Sequence, residues 1–216
     1  MRACMTILMI ADVGFICTSW SYQSLYRWFT NVTLCGTILS FILSMLLHSI
    51  SSGSNARKPW LSLLACHHFL FEIMAMFNLI TTVVYWGYLH PLMMVNEDFL
   101  GNQIRCYHAW FVHSAPGLFF LINWTMSDII MKARHFFLMI PFGIMYAFTN
   151  YRITMDTKEP TYPFMDWIED FDGTVRNLTI LVSFLFIVYV VLARISQAIK
   201  QDFTSSSSQA KAKKVS

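Results

Sequence analysis

Thr30 and Asn31 stand together ahead of a long apolar run, and His113 stands far along the chain in another. A threonine hydroxyl is a weak nucleophile at neutral pH. An imidazole that takes its proton as the oxygen attacks makes it a usable one. Thr30 and His113 are therefore candidates for a nucleophile and its general base, with Asn31 and Ser114 beside them as candidates to bind an oxyanion or support the pair. A plainer reading stays open: a threonine in a membrane helix commonly bonds the carbonyl one turn back, and a histidine near a helix end commonly bonds water or a headgroup. Pro116 also admits two readings. Inside a helix it would free the Val112 carbonyl next to His113; in a first turn it would only mark a later helix start. A second set is His67, His68 and Glu72, in which His68 and Glu72 fall one turn apart on a single helical face. They could form a metal or proton site, or a buried pair that orients helices. Asp12 is a further ionisable residue inside an apolar segment.

These residues need elements to hold them, and the composition says which kind. Of 216 residues 56% are hydrophobic and 12% charged, with mean hydropathy +0.51. That charged share is about half the usual figure for a water-soluble domain. A bilayer helix needs about 20 apolar residues, and six stretches approach that length: 4–20, 28–50, 60–88, 107–126, 136–151 and 178–195. The expected fold is all-α, a polytopic membrane protein of six transmembrane helices spanning 1–203, followed by a Ser- and Lys-rich tail over 204–216 expected to be disordered. The first stretch follows Arg2 like a secretory signal, but no small-residue cleavage pattern follows it, so it is expected to be retained.

With both termini in the cytoplasm, ten of the fifteen Lys and Arg residues fall inside, which satisfies the positive-inside rule. Thr30 and His113 then lie at similar shallow depth near the outer surface, on two helices that both run inward. Asp128, Lys132 and His135 fall in an inner-face cluster, and His48 lies near the same side. Trp60, Tyr107, Trp110 and Trp167 fall at expected membrane boundaries, where aromatic anchors collect. The plasma membrane and the endoplasmic reticulum both fit this orientation, and a mitochondrial membrane stays open beside them. Cys4, Cys17, Cys35, Cys66 and Cys106 have no paired spacing, so neither a disulfide nor a zinc site is expected. The sequons at Asn31, Asn123 and Asn177 lie in or against expected helices and are not expected to carry glycan. One His-His pair is too little for a di-iron site and nothing favours haem, so no cofactor and no metal are expected. The expected partner is membrane lipid, with no nucleic acid.

Four motifs carry a family resemblance. Leu25-Tyr26-Arg27-Trp28-Phe29-Thr30-Asn31 resembles the start of the second helix in rolling stone-like membrane proteins, and Thr81-Thr82-Val83-Val84-Tyr85-Trp86 resembles the end of their third. His113, Asp128, His135 and Tyr146 follow the order of their polar marks across the fourth and fifth helices. Tyr162-Pro163-Phe164-Met165-Asp166-Trp167 is similar to their motif before the last helix. That family is similar in layout to the androgen-induced membrane hydrolases, which cleave fatty-acid esters of hydroxy fatty acids with an intramembrane threonine and histidine. The resemblance implies Thr30 and His113 in those roles. Val112-His113-Ser114-Ala115-Pro116-Gly117 departs from the hydrolases' asparagine-histidine-glycine context and lacks their second histidine four residues on. Two other classes stand beside the hydrolase: a non-catalytic membrane subunit or scaffold, and a metal or redox site around His67, His68 and Glu72.

Overall fold

The computed structural model describes the backbone of residues 1–19, 27–51, 58–95, 100–127 and 129–215, and the side chains of 1–19, 27–49, 62–95, 100–127 and 129–200. Leu25, Tyr26, Arg57, Glu97, Asp98 and Asp128 lie outside the described residues, as do the side chains of Trp60 and of 201–216. The chain is all-helical, with no strand among the described residues. Helix α1 is Arg2–Ser19 and α2 is Phe29–Ser51. Helix α3 is Lys58–Val84, which passes directly into a π-helical turn, Tyr85–Leu89, and a last α turn, His90–Met93. Helix α4 is Gln103–Thr125, α5 is Ile140–Thr157 and α6 is Phe171–Val215.

The helix ends follow local chemistry. The Asn102 side chain accepts the Arg105 N–H at the start of α4, and the Asp170 carboxylate accepts the Gly173 N–H at the start of α6; each satisfies one of the donors a helix start leaves open. Pro141 sits in the first turn of α5, where its missing N–H costs nothing. Pro116, by contrast, lies inside α4, which decides between its two readings. It offers no N–H to the Val112 carbonyl, so the ladder is interrupted beside His113.

The chain divides into two compact units, Met1–Met126 and Ser127–Ser216. In the first, α2 packs against α1, α3 and α4, and α4 also packs against α1 and α3. Met9, Ile16, Leu34, Phe41, Phe71 and Tyr85 fill its interior. Polar residues join the helices there. Asn78 of α3 donates from Nδ2 to Thr37 Oγ1 of α2 at 2.7 Å and to the Met74 carbonyl at 2.8 Å, a cross-helix bond of the kind that holds membrane bundles together. Gly117 lets α4 approach α3: a Cβ there would stand 3.1 Å from Thr82 Oγ1. That hydroxyl is held against the His113 carbonyl at 2.7 Å and the Asn78 carbonyl at 2.9 Å. Gly117→Val should therefore destabilise the protein by about 1–3 kcal/mol, the usual cost of overpacking, and a lower thermal midpoint in detergent would register it.

In the second unit a 3-10 turn, Ala133–Leu138, packs against α5 and α6. Phe136 stacks edge-on against Phe186, and Tyr189 donates to the Lys132 carbonyl at 3.2 Å. Lys200 Nζ holds the Ser127 and Ile129 carbonyls at 2.6 and 2.8 Å. The 162–167 motif folds back against α5, where Trp167 Nε1 donates to Asn150 Oδ1 at 2.8 Å.

Four helical segments are long and apolar enough to cross a membrane: Arg2–Ser19, Phe29–Ser49, Ser62–Met93 and Phe171–Lys200. The stretches expected as fourth and fifth spans are helical, as α4 and α5, but fall outside that set. Arg105, His108, His113 and Asn123 dilute the first, and Asn150, Arg152 and Asp156 the second. Many apolar side chains of α5 and α6, among them Ile144, Phe148, Ile180 and Ile187, are exposed, as a lipid-facing surface requires. The last helix also continues to Val215 through the stretch whose composition reads as a disordered tail. An existing helix propagates cheaply into residues such as Ala, Gln and Lys that favour it.

Candidate functional site

Thr30 occupies the first turn of α2. The Asn31 and Val32 N–H groups both bond the Trp28 carbonyl, at 3.0 and 3.2 Å, so the helix begins immediately before it. His113 sits midway along α4. The two meet: Thr30 Oγ1 lies 3.0 Å from His113 Nε2. Thr30 is 5% exposed and His113 half-buried.

The other ring nitrogen fixes the direction of the bond. His113 Nδ1 lies 2.7 Å from the Ala109 carbonyl oxygen, and a carbonyl only accepts, so Nδ1 carries the proton. Nε2 is then the acceptor, and Thr30 donates its hydroxyl proton to it. This is the tautomer a general base needs. The plainer arrangement for a helical threonine occurs at its neighbours: Thr33 Oγ1 donates to the Thr30 carbonyl at 2.8 Å, and Thr37 Oγ1 to the Thr33 carbonyl at 2.7 Å. Thr30 differs from both in bonding across to another helix.

Several contacts hold the imidazole. Tyr85 stacks on it with ring centroids 3.9 Å apart and planes 15° from parallel. Thr82 fastens the His113 backbone carbonyl to α3. Tyr85 opens the π-helical turn, a distortion that re-aims side chains and is frequent at functional sites.

Asn31 is 4% exposed. As the next residue on a helix, it projects about 100° around the axis from Thr30. Ser114 Oγ accepts the Trp86 indole N–H at 3.0 Å, so its tie to the pair runs through the residue that follows Tyr85. Ser114→Ala should lower stability by about 1 kcal/mol, one ordinary hydrogen bond, and leave the rate of any reaction at Thr30 within a few-fold of the parent. Parallel melting and turnover measurements check both.

His68 and Glu72 pair as their spacing predicts, Nε2 to Oε1 at 3.0 Å, with the carboxylate fully buried. His67 faces the interior against Phe71, and its Nε2 is buried without a partner. Asp12 Oδ1 meets His108 Nδ1 at 2.9 Å, linking α1 to α4. Sequence reasoning flagged Asp12 but missed its partner, along with Asn78, Thr82 and Tyr85. The signal for His108 was present: a buried carboxylate demands a donor, and the unassigned histidines were few. Tyr85 left only its place in a motif at the end of the third helix. Compared with known proteins, the chain matches no protein-family model, no curated protein and no solved structure.

Proposed function

We propose that the protein is a six-span membrane hydrolase with both termini in the cytoplasm, of the rolling stone-like and androgen-induced hydrolase group. It uses Thr30 and His113 to cleave fatty-acid esters of hydroxy fatty acids. The observation that carries this reading is the 3.0 Å contact from Thr30 Oγ1 to His113 Nε2, with the opposite nitrogen committed to the Ala109 carbonyl.

As His113 Nε2 takes the hydroxyl proton, Thr30 Oγ1 attacks the ester carbonyl carbon, and the carbonyl electron pair moves onto oxygen. Collapse of that intermediate breaks the bond to the hydroxy fatty acid. His113 returns the proton to this leaving alcohol, and Thr30 is left acylated. Water, activated by the same imidazole, then releases the fatty acid. The first turn of α2 places positive backbone N–H ends near the developing negative charge, and the buried Asn31 stands beside it. A lipid ester reaches so shallow a site sideways from the bilayer, which suits the plasma membrane or the endoplasmic reticulum, with a mitochondrial membrane a further setting.

A second reading, a non-catalytic membrane subunit or scaffold, draws on the bond from Asn78 to Thr37, a polar pair engaged in joining helices. Fatty-acid release from branched fatty-acid esters by the purified protein separates the two. Release that depends on Thr30 and His113 supports the hydrolase. No release, with stable co-purification in a larger complex, supports the scaffold.

A further inference from the structure

Tyr85 is completely buried, and its hydroxyl has no hydrogen-bond partner. An unsatisfied buried hydroxyl is destabilising, whereas phenylalanine in its place would pack the same ring without that penalty. The phenol ring lies face to face with His113, and its oxygen is attached directly to that ring. The ring that carries this spare O–H donor therefore packs directly on the imidazole that holds Thr30.

We propose that Tyr85 is the oxyanion donor of the site: its hydroxyl hydrogen-bonds the carbonyl oxygen of a bound carboxylic ester as Thr30 attacks. The proposal rests on the threonine-hydrolase reading above and adds a phenol donor to the α2 N–H groups and Asn31 named there, since the histidine context departs from that of the hydrolases it resembles. Tyr85 keeps its proton throughout. The new bond forms between Thr30 Oγ1 and the acyl carbon, His113 carries the proton that moves, and Tyr85 strengthens its hydrogen bond as charge gathers on the acyl oxygen. A donor unpaired in the resting protein pays nothing to release a previous partner, which is what preorganised stabilisation requires. The π-helical turn that opens at Tyr85 gives a local reason for the ring to lie where a regular helix would not aim it.

The test compares parent, Tyr85→Phe, Thr30→Ala and His113→Ala proteins in lipid nanodiscs. The substrates are a fatty-acid ester of a hydroxy fatty acid and its thionoester, in which sulfur replaces the carbonyl oxygen. Phenylalanine keeps the stacked ring and loses the unsatisfied hydroxyl, so a thermal midpoint at or above the parent's is expected. Tyr85→Phe should lower kcat on the oxygen ester about 10²–10³-fold with KM little changed, the usual loss for one oxyanion donor. Sulfur is a poor hydrogen-bond acceptor, so the parent should turn over the thionoester far more slowly than the ester, and Tyr85→Phe should lose most of that preference. Equal loss on both substrates would mean the tyrosine only positions His113, and the proposal falls. Tyr85→Phe turnover within threefold of the parent, with Thr30→Ala and His113→Ala inactive, overturns the donor role and leaves the threonine reading standing. Parent protein without turnover, or Thr30→Ala as active as the parent, removes the threonine reading and the donor role with it.

Discussion

Thr30→Ala should reduce ester hydrolysis to the level of protein-free membranes, while Thr30→Ser keeps turnover within about tenfold of the parent because the attacking hydroxyl survives. Alanine removes the oxygen that would form the acyl intermediate, so no acylated Thr30 should accumulate. A fluorophosphonate with a long alkyl chain should modify Thr30 in the parent, and intact-mass measurement should find no adduct in Thr30→Ala. His113→Ala leaves the hydroxyl in place but takes away its acceptor, so the loss expected is that of a general base, about 10²–10⁴-fold. His113→Gln is the sharper variant. It can still accept a hydrogen bond from Thr30, yet it cannot carry a proton through the cycle, so it should lose as much activity as alanine while melting closer to the parent. The Thr30 hydroxyl gives its proton to Nε2 and not to a carbonyl of its own helix, which is why the losses should fall on kcat before KM. Thr30→Ala or His113→Gln with parent turnover on the same ester would remove both assignments.

How far these residues could be read from sequence depended on what kind of pattern carried them. The helical, membrane-like class was legible because it is written in bulk composition, and the pair at His68 and Glu72 because it follows from helical periodicity within one element. Thr30 and His113 were reachable through an expected depth: with both helices taken to run inward, the two residues were expected at one level. Depth does not say which faces meet, and that had to come from packing. α4 reaches α3 closely at Gly117, and Thr82 ties the His113 carbonyl across that contact. Neither residue looks functional in isolation. Tyr85 showed only as part of a motif for a related reason: a tyrosine at a helix end is ordinarily an interfacial anchor, and nothing local announces a π-helical turn. Pro116 gave two readings because its meaning depended on where α4 begins, and Asn102 caps that helix earlier than hydropathy alone suggests. The apolar window was also a poor guide to α4 and α5. Both are helices, but the polar residues that make α4 interesting are the ones that lower its hydropathy.

His108→Leu should strongly destabilise the first unit, and a second substitution should restore most of the loss. Asp12 and His108 meet at 2.9 Å with side chains only 11% and 8% exposed, and the second oxygen of Asp12 is buried without a hydrogen bond. The carboxylate therefore depends on the imidazole for its pairing. Leaving a buried carboxylate without its partner costs about 3–5 kcal/mol, whereas polar bonds in membrane bundles average well under that. The larger figure applies here because so little water reaches either group. Asp12→Leu should cost less, about 1–3 kcal/mol, since the imidazole keeps its contact with Phe15 and loses one hydrogen bond. The double variant, Asp12→Leu with His108→Leu, removes both polar groups and fills the space between α1 and α4 with hydrocarbon, so it should melt closer to the parent than His108→Leu does. Thermal midpoints of the four proteins in one detergent complete the cycle. Additive losses, with the double variant the least stable of the four, would mean that the two side chains act independently and that their contact does not fasten α1 to the helix carrying His113.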